Sequence, residues 1–277
     1  MDEGWTDWIG RSETATDTLT PAMVDGFAAT LDTSHDLAPG AEAPQGVHWL
    51  LAPARVPMAG IGVDGHPRRG GFLPPIDLPR RMWAASEVRF IAPLRIGETV
   101  ERVSRVASVE AKAGSTGPLV FVGVDRTYVV AGETRIEERQ TIVYRDVQPY
   151  RRPADTDPAA DAPADFERLV VPDPVMLFRY SAITFNGHRI HYDQPYATRV
   201  ELYPGIVVHA PLTATLCLDL AARTLGANRL ATFSFRGVGP AFANEPLRIT
   251  AQQSGDDLSF VASAEGRVVA KAKAVLG

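Results

Sequence analysis

The chain has 277 residues, of which 45% are apolar and 22% charged, and carries a formal net charge of −5. No apolar run approaches the roughly 20 residues a membrane helix needs. The single cysteine, Cys217, rules out an internal disulfide and a cysteine-rich zinc site, and arginines spread along the chain speak against nucleic acid as a partner. The start, MDEGWTDWIG, is acidic where a secretory leader is basic and then apolar, so a cytoplasmic protein is expected.

In chain order, the first half opens with FAATLDTSHD, containing Asp32 and His35, and then QGVHWLLA around His48. A loop rich in glycine and proline follows, GVDGHPRRGGFLPP over 62–75. Its glycines match neither familiar phosphate-binding spacing, so it reads as a long surface loop. Arg68, Arg69, Arg80 and Arg81 flank it. Alternating apolar patterns predict strands over 85–91, 99–112, 119–130 and 134–144. The stretch 147–168, rich in Pro, Ala and Asp, reads as a linker between halves at 1–146 and 169–277. In the second half SAITFNGHRIHYDQPYA gathers Asn186, His188, Arg189, His191 and Asp193. Apolar residues near helical spacing then predict a buried helix over 209–226, ended by Gly226, and strands over 230–237, 247–253, 258–264 and 267–276.

The halves share an ordered set of landmarks. Arg89, Pro93 and Gly97-Glu98 recur at identical spacing as Arg236, Pro240 and Asn244-Glu245, His48 parallels His209, and further upstream FAATLDTSHD, with Asp32 and His35, sits where the second half has SAITFNGHRIH. Three such pairs in one order favour a duplicated unit. Each unit is expected to hold one main helix followed by strands. The fold class is therefore α+β: a double hot dog, two antiparallel sheets each wrapped around a central helix. Exposed sheet edges make a homodimer plausible.

Residues 178–220 resemble the MaoC-like R-specific enoyl-CoA hydratases, whose motif reads roughly G-D-x-N-P-x-H, followed by I-V-H-G at the start of the central helix. The corresponding letters here are Asn186, His188, Arg189, Ile190 and His191, and later IVVHA ending at Ala210. Together with GGFLPPIDLPRRMW, the variant FNGHRIHYD is similar to the fatty-acid-synthase-type dehydratase branch that includes 3-methylfumaryl-CoA (mesaconyl-CoA) hydratases. The resemblance implies water addition or removal across the α,β double bond of an acyl thioester, with coenzyme A entering only as part of the substrate and no separate cofactor. It implies His191 as the acid/base group and the Ala210 amide as oxyanion donor at the helix start; Asn186, a departure from the family pattern, is read as water positioner. Gly205, His188, His209, Arg189, Arg80 and Arg81 are the candidate substrate contacts: His188 and Arg189 replace the family asparagine and proline, so their roles are not inherited, but Arg189 is suited to a substrate carboxylate and Arg80 and Arg81 to coenzyme A phosphates.

Hydration of an enoyl thioester needs a base for water, a proton for the α carbon and donors for the thioester oxygen. Asn186 stands where the family carries aspartate and cannot accept a proton in that role. Three readings stay open: His191 alone, His191 with Asp193, or His191 with Asp32 or Asp36 from the first half. The first is favoured. The first half lacks the motif and reads as a degenerate copy that shapes the acyl pocket. HRIHYD could also supply His188, His191 and Asp193 to a metal, a reading the absence of an i, i+4 histidine pair disfavours. A thioesterase and a non-catalytic thioester-binding module are the rival functions.

Overall fold

The computed structural model describes residues 4–114, 117–153 and 156–277. Parts of the start and of the 147–168 linker (Met1 to Glu3, Ala154 and Asp155) lie outside the described residues. Ten strands form one continuous antiparallel sheet: β1 (Ser12–Thr18), β2 (Arg80–Phe90), β3 (Thr99–Gly114), β4 (Gly117–Val130), β5 (Glu133–Arg145), β6 (Phe166–Val170), β7 (Leu230–Gly237), β8 (Leu247–Ser254), β9 (Asp257–Ala264) and β10 (Arg267–Leu276). Their order, β1-β3-β4-β5-β2-β7-β10-β9-β8-β6, reads the same from either end once β1 is equated with β6, β3 with β8, β4 with β9, β5 with β10 and β2 with β7. The central pairing keeps this symmetry: Ala85 faces Arg236 and Arg89 faces Thr232. The fold is the double hot dog, with the two half-sheets fused through β2 and β7 rather than standing apart.

The repeated landmarks do repeated work. Gly97 (φ 94°) and Asn244 (φ 68°) both occupy the left-handed region at the same turn, where only glycine or asparagine is comfortable. Glu98 accepts a hydrogen bond from the Arg95 amide at 2.7 Å, and Glu245 one from the Phe242 amide at 3.4 Å, each closing its turn. Before its long strands each half has a helix with the same start: α1 (Pro21–Leu31) is capped by Thr20 and α2 (Pro174–Ile183) by Asp173, each with proline in the first turn. These two helices pack on each other. A short α3 (Gln194–Arg199) follows, capped by Asp193.

The expectation of one main helix per half holds only in the second. There α4 (Ala210–Leu225) is buried continuously from Leu212 to Ala221, packed against inward residues such as Phe233, Ile249, Phe260 and Ala272. Cys217 sits within it as a core thiol. In the first half the segment around His48 makes only a 3₁₀ turn, Val47–Leu50. Pro44, Gly46, Pro53 and Pro57 confine it; proline removes amide donors and restricts the residue before it, leaving no room for four helical turns.

With no helix to cover it, the inner face of the first half is partly polar. Ser104, Arg126 and Glu138 face one another across β3, β4 and β5, and Ser86 faces Gln140 across β2 and β5. Glu138, 3% exposed, accepts from Ser86 Oγ at 2.6 Å, Trp49 Nε1 at 2.9 Å and Gln140 Nε2 at 2.9 Å. A buried carboxylate is tolerable only with such partners. The vacated space becomes part of a cavity of about 1600 Å³ that reaches to the start of α4.

Candidate active site

The segment between α2 and α3 is a tight irregular turn. Phe185 takes a positive φ of 51°, the Asn186 amide returns to Ser181 O, and Asn186 Oδ1 accepts from the His188 amide at 3.0 Å. That last bond fixes which end of the carboxamide is oxygen, since only the oxygen accepts. A 3₁₀ turn over Arg189–His191 then delivers His191 inward, and Asp193 ends the turn by capping α3.

His191 is 7% exposed, lines the cavity, and places Nδ1 2.7 Å from the carbonyl of Val207. A carbonyl cannot donate, so Nδ1 carries the proton and the neutral ring has its lone pair on Nε2. Burial pushes its pKa down to about 4, the Val207 bond working weakly the other way. His209, the residue before α4, stacks on it with ring centroids 3.6 Å apart and planes 21° apart, and is anchored through Nε2 to Ser181 Oγ at 2.8 Å. Its own pKa is held well below the ordinary value by burial and then by His191. Two stacked rings at this distance are compatible with neutrality, not with two positive charges.

Ala210, at the first position of α4, lines the same cavity. Amides of a helix's first turn lack intrahelical partners and sit at the positive end of its dipole; proline at the next position, Pro211, supplies no competing donor. A general base and an oxyanion donor therefore share one cavity.

The remaining candidates divide. Asn186 and His188 line the cavity, His188 meeting His191 edge-on with centroids 5.3 Å apart. Arg80 also lines it, but its Nε is paired with Glu201 at 2.7 Å and its Nη2 with Glu201 O, both side chains being buried. Arg81, likewise buried, pairs with Asp64 at 3.3 Å. Neither is the free phosphate contact expected at a pocket mouth. Arg189 is a correction: Nη2 and Nε grip Asp193 at 2.8 and 2.9 Å, its plane lies over Tyr196 at 4.2 Å, and it is absent from the cavity wall. The i, i+4 spacing brings the two charges together more cheaply than a substrate could. His209 stands behind His191 rather than on the wall, and Gly205 lies outside the cavity.

The same ion pair removes Asp193 as a partner for His191 and as a metal ligand. Asp32 ends α1 in a left-handed conformation and Asp36 accepts from the Ala38 amide at 2.9 Å; neither lines the cavity. Among the described residues, Glu13 is the one carboxylate on its wall, and it is paired with Arg102.

The loop over 62–75 is not a free surface loop. Its first part docks on the histidine segment: Arg189 donates from its amide to Asp64 O at 2.9 Å and from Nη1 to Val63 O at 3.0 Å. Gly65 and Gly187 meet so closely that a Cβ on Gly65 would lie 1.9 Å from Gly187 O. This docking brings in His66, which lines the cavity with its ring 4.4 Å from that of His188. Sequence reasoning missed it; the two glycines just before it, Gly62 and Gly65, were the one available sign of close backbone approach.

Residues 46–243 match the hydroxyacyl-thioester dehydratase type 2 family. The chain belongs to that family. It is 42% identical over 279 residues to the mesaconyl-C(4)-CoA hydratase of Chloroflexus aurantiacus, covering 99% of this chain and 98% of that one. It is 27% identical over 236 residues to the mitochondrial hydroxyacyl-thioester dehydratase type 2 of Schizosaccharomyces pombe, covering 76% and 78%. Among solved structures it superposes on a MaoC-like dehydratase from Phytophthora capsici with a TM-score of 0.70 at 16% identity, over 98% of each chain. A Mycobacterium tuberculosis protein described as a double hot dog follows with a TM-score of 0.61 at 16% identity, over 97% and 96%. As a member of the dehydratase family the chain is a hydro-lyase of acyl thioesters. No helix among the described residues is long and apolar enough to cross a membrane.

Proposed function

We propose that the enzyme hydrates a short enoyl-CoA bearing a carboxylate, 3-methylfumaryl-CoA being the substrate that fits best. The observation that carries the chemistry is His191: buried, neutral, with Nδ1 committed to Val207 and Nε2 left for water in the cavity that Ala210 also lines. His191 Nε2 takes a proton from water as the water oxygen bonds to the β carbon. The π electrons move to the thioester oxygen, held by the Ala210 amide and the start of α4. The proton on Nε2 then passes to the α carbon as the carbonyl re-forms, so one base accounts for both new bonds and no carboxylate is required. Asn186, with its oxygen engaged by His188, retains amide donors with which to place the water.

Charge supports the choice of substrate. Eight arginines and a single carboxylate, Glu13, line the cavity among the described residues; Arg80 and Arg81 are taken by Glu201 and Asp64, and the others keep the balance positive, which suits coenzyme A phosphates and an anionic acyl group. The polar wall formed by Arg126 and Gln140, backed by the buried Glu138, is a poor match for a long alkyl chain, which would strip water from those groups without replacing their bonds. The 42% identical mesaconyl-C(4)-CoA hydratase points the same way. We assign the second half, from residue 169, the chemistry, and the half before residue 147 the acyl space left by its missing helix. A homodimer through the free edges at β1 and β6 is part of the same proposal.

A panel of enoyl-CoA thioesters, followed both by absorbance of the conjugated thioester and by free thiol, tests the reading. Loss of absorbance without thiol, fastest on the diacid monothioester, is expected. Thiol release would make the enzyme a thioesterase, and no change with any substrate would make it a binder.

A further inference from the structure

In 3-methylfumaryl-CoA the carboxylate is bonded directly to the carbon that water attacks. The group that reads it must therefore stand close beside His191, within roughly one hydrogen bond and one carbon–carbon bond, about 5 Å, of the reacting centre. Arg189 does not, being held by Asp193. What the structure places beside His191 is His188, with a second imidazole, His66, against it. His188 stands edge-on to His191 at 5.3 Å between centroids, and His66, from the other half of the chain, lies against His188 at 4.4 Å with its plane inclined by 34°. Both line the cavity.

We propose that His66 and His188 form the carboxylate subsite of the acyl pocket, donating ring N–H groups to the feature that separates a diacid monothioester from an ordinary enoyl thioester. The inference rests on the substrate class proposed above. The way the loop is held supports it. Gly65 and Gly187 pack backbone on backbone, so the loop cannot lift without losing that seat. Asp64 accepts from the His66 amide at 3.1 Å through Oδ1 and binds Arg81 through Oδ2 at 3.3 Å, fixing the ring's approach. Several first-half contacts thus converge on the position of one imidazole.

Electrostatics agree. Burial first, then Arg81, His191 and Arg69 hold His66 well below the ordinary histidine value. Burial, His66, His191, Arg81 and His209 do the same for His188. The facing carboxylate, Asp64, is engaged by Arg81. A substrate carboxylate would enter a field of positive sign, accept from neutral rings at once, and strengthen those bonds by drawing a proton onto one of them. A methyl group in its place would leave buried donors unpaired, the arrangement from which large discrimination arises.

The test is a ratio: kcat/KM for 3-methylfumaryl-CoA over kcat/KM for 3-methylcrotonyl-CoA, in which methyl replaces the carboxylate. Both are measured on one preparation, so any loss of folded protein cancels. The parent enzyme is expected to favour the diacid by at least about a hundredfold. His66→Leu should lower that ratio by about tenfold or more, the effect of one lost charge-assisted hydrogen bond, and His66→Gln, which keeps a donor, should restore part of it. A parent that favours the diacid with a ratio unmoved by His66→Leu overturns the subsite and leaves the substrate reading standing. A parent indifferent to the carboxylate overturns the substrate reading, and the subsite with it.

Discussion

His191 is useful as a base at ordinary pH because three neighbours settle its state: Val207 O claims the Nδ1 proton, His209 covers one face, and burial keeps the ring neutral. With its pKa lowered to about 4, the base is already unprotonated throughout the neutral range. Activity should hold level as pH falls from 8 to about 5 and decline with a midpoint near 4, if the fold survives. A profile that instead falls through pH 6.5 in stable protein would mean that a solvated histidine, not this one, is the base. The motif residues were legible in sequence because their order survives in a short stretch. Arg189 misled because its partner, four residues on, competes successfully for it, and His66 escaped notice because it meets His188 only through a fold-level contact across more than a hundred positions.

At the scale of elements, α4 and the long strands could be read from apolar periodicity, since each has one consistently buried face or, for α4, burial nearly all round. β1 (SETATDT) and β6 (FERLV) could not: both are short edge strands, half exposed, with little apolar alternation to mark them. The missing first-half helix was readable in principle from Pro44, Pro53 and Pro57, but the parallel between His48 and His209 outweighed them. The least visible element contact is also the most consequential, the seat of the 62–66 loop on the histidine turn. In Gly187→Ala the new Cβ would lie 2.7 Å from Gly65 O and force the two backbones apart. An ångström-scale displacement of positioning groups costs up to about a hundredfold in rate. A fall of that order in kcat/KM, with a thermal midpoint near that of the parent, is the expected result; unchanged kinetics would show that the docked loop is not part of the working site.

Across the whole molecule, burial of imidazoles sets the acid limit of the fold. His48 and His191 are lowered to about 4, and His66, His188 and His209 also lie well below 6.5. For a histidine depressed in the folded state the unfolded chain takes up the proton first, so stability is full above pH 6.5 and drains as pH falls toward 4. Near pH 4 this amounts to about 3 kcal/mol each for His48 and His191. The urea midpoint should fall steeply between pH 6.5 and 4.5, and a flat midpoint over that interval would contradict the burial of these rings. The duplication behind this architecture was legible from three ordered landmarks, whereas the fusion of both halves into one sheet depends on the β2–β7 pairing, which no local pattern announces.

The central claim is that a single neutral imidazole moves the proton in this enzyme. The most direct measurement is single-turnover hydration of 3-methylfumaryl-CoA by the parent and by His191→Ala, with matched thermal midpoints as the control for folding. A loss of at least about a hundredfold in the chemical step is predicted, and hydration at the parent rate by the folded variant would contradict the account.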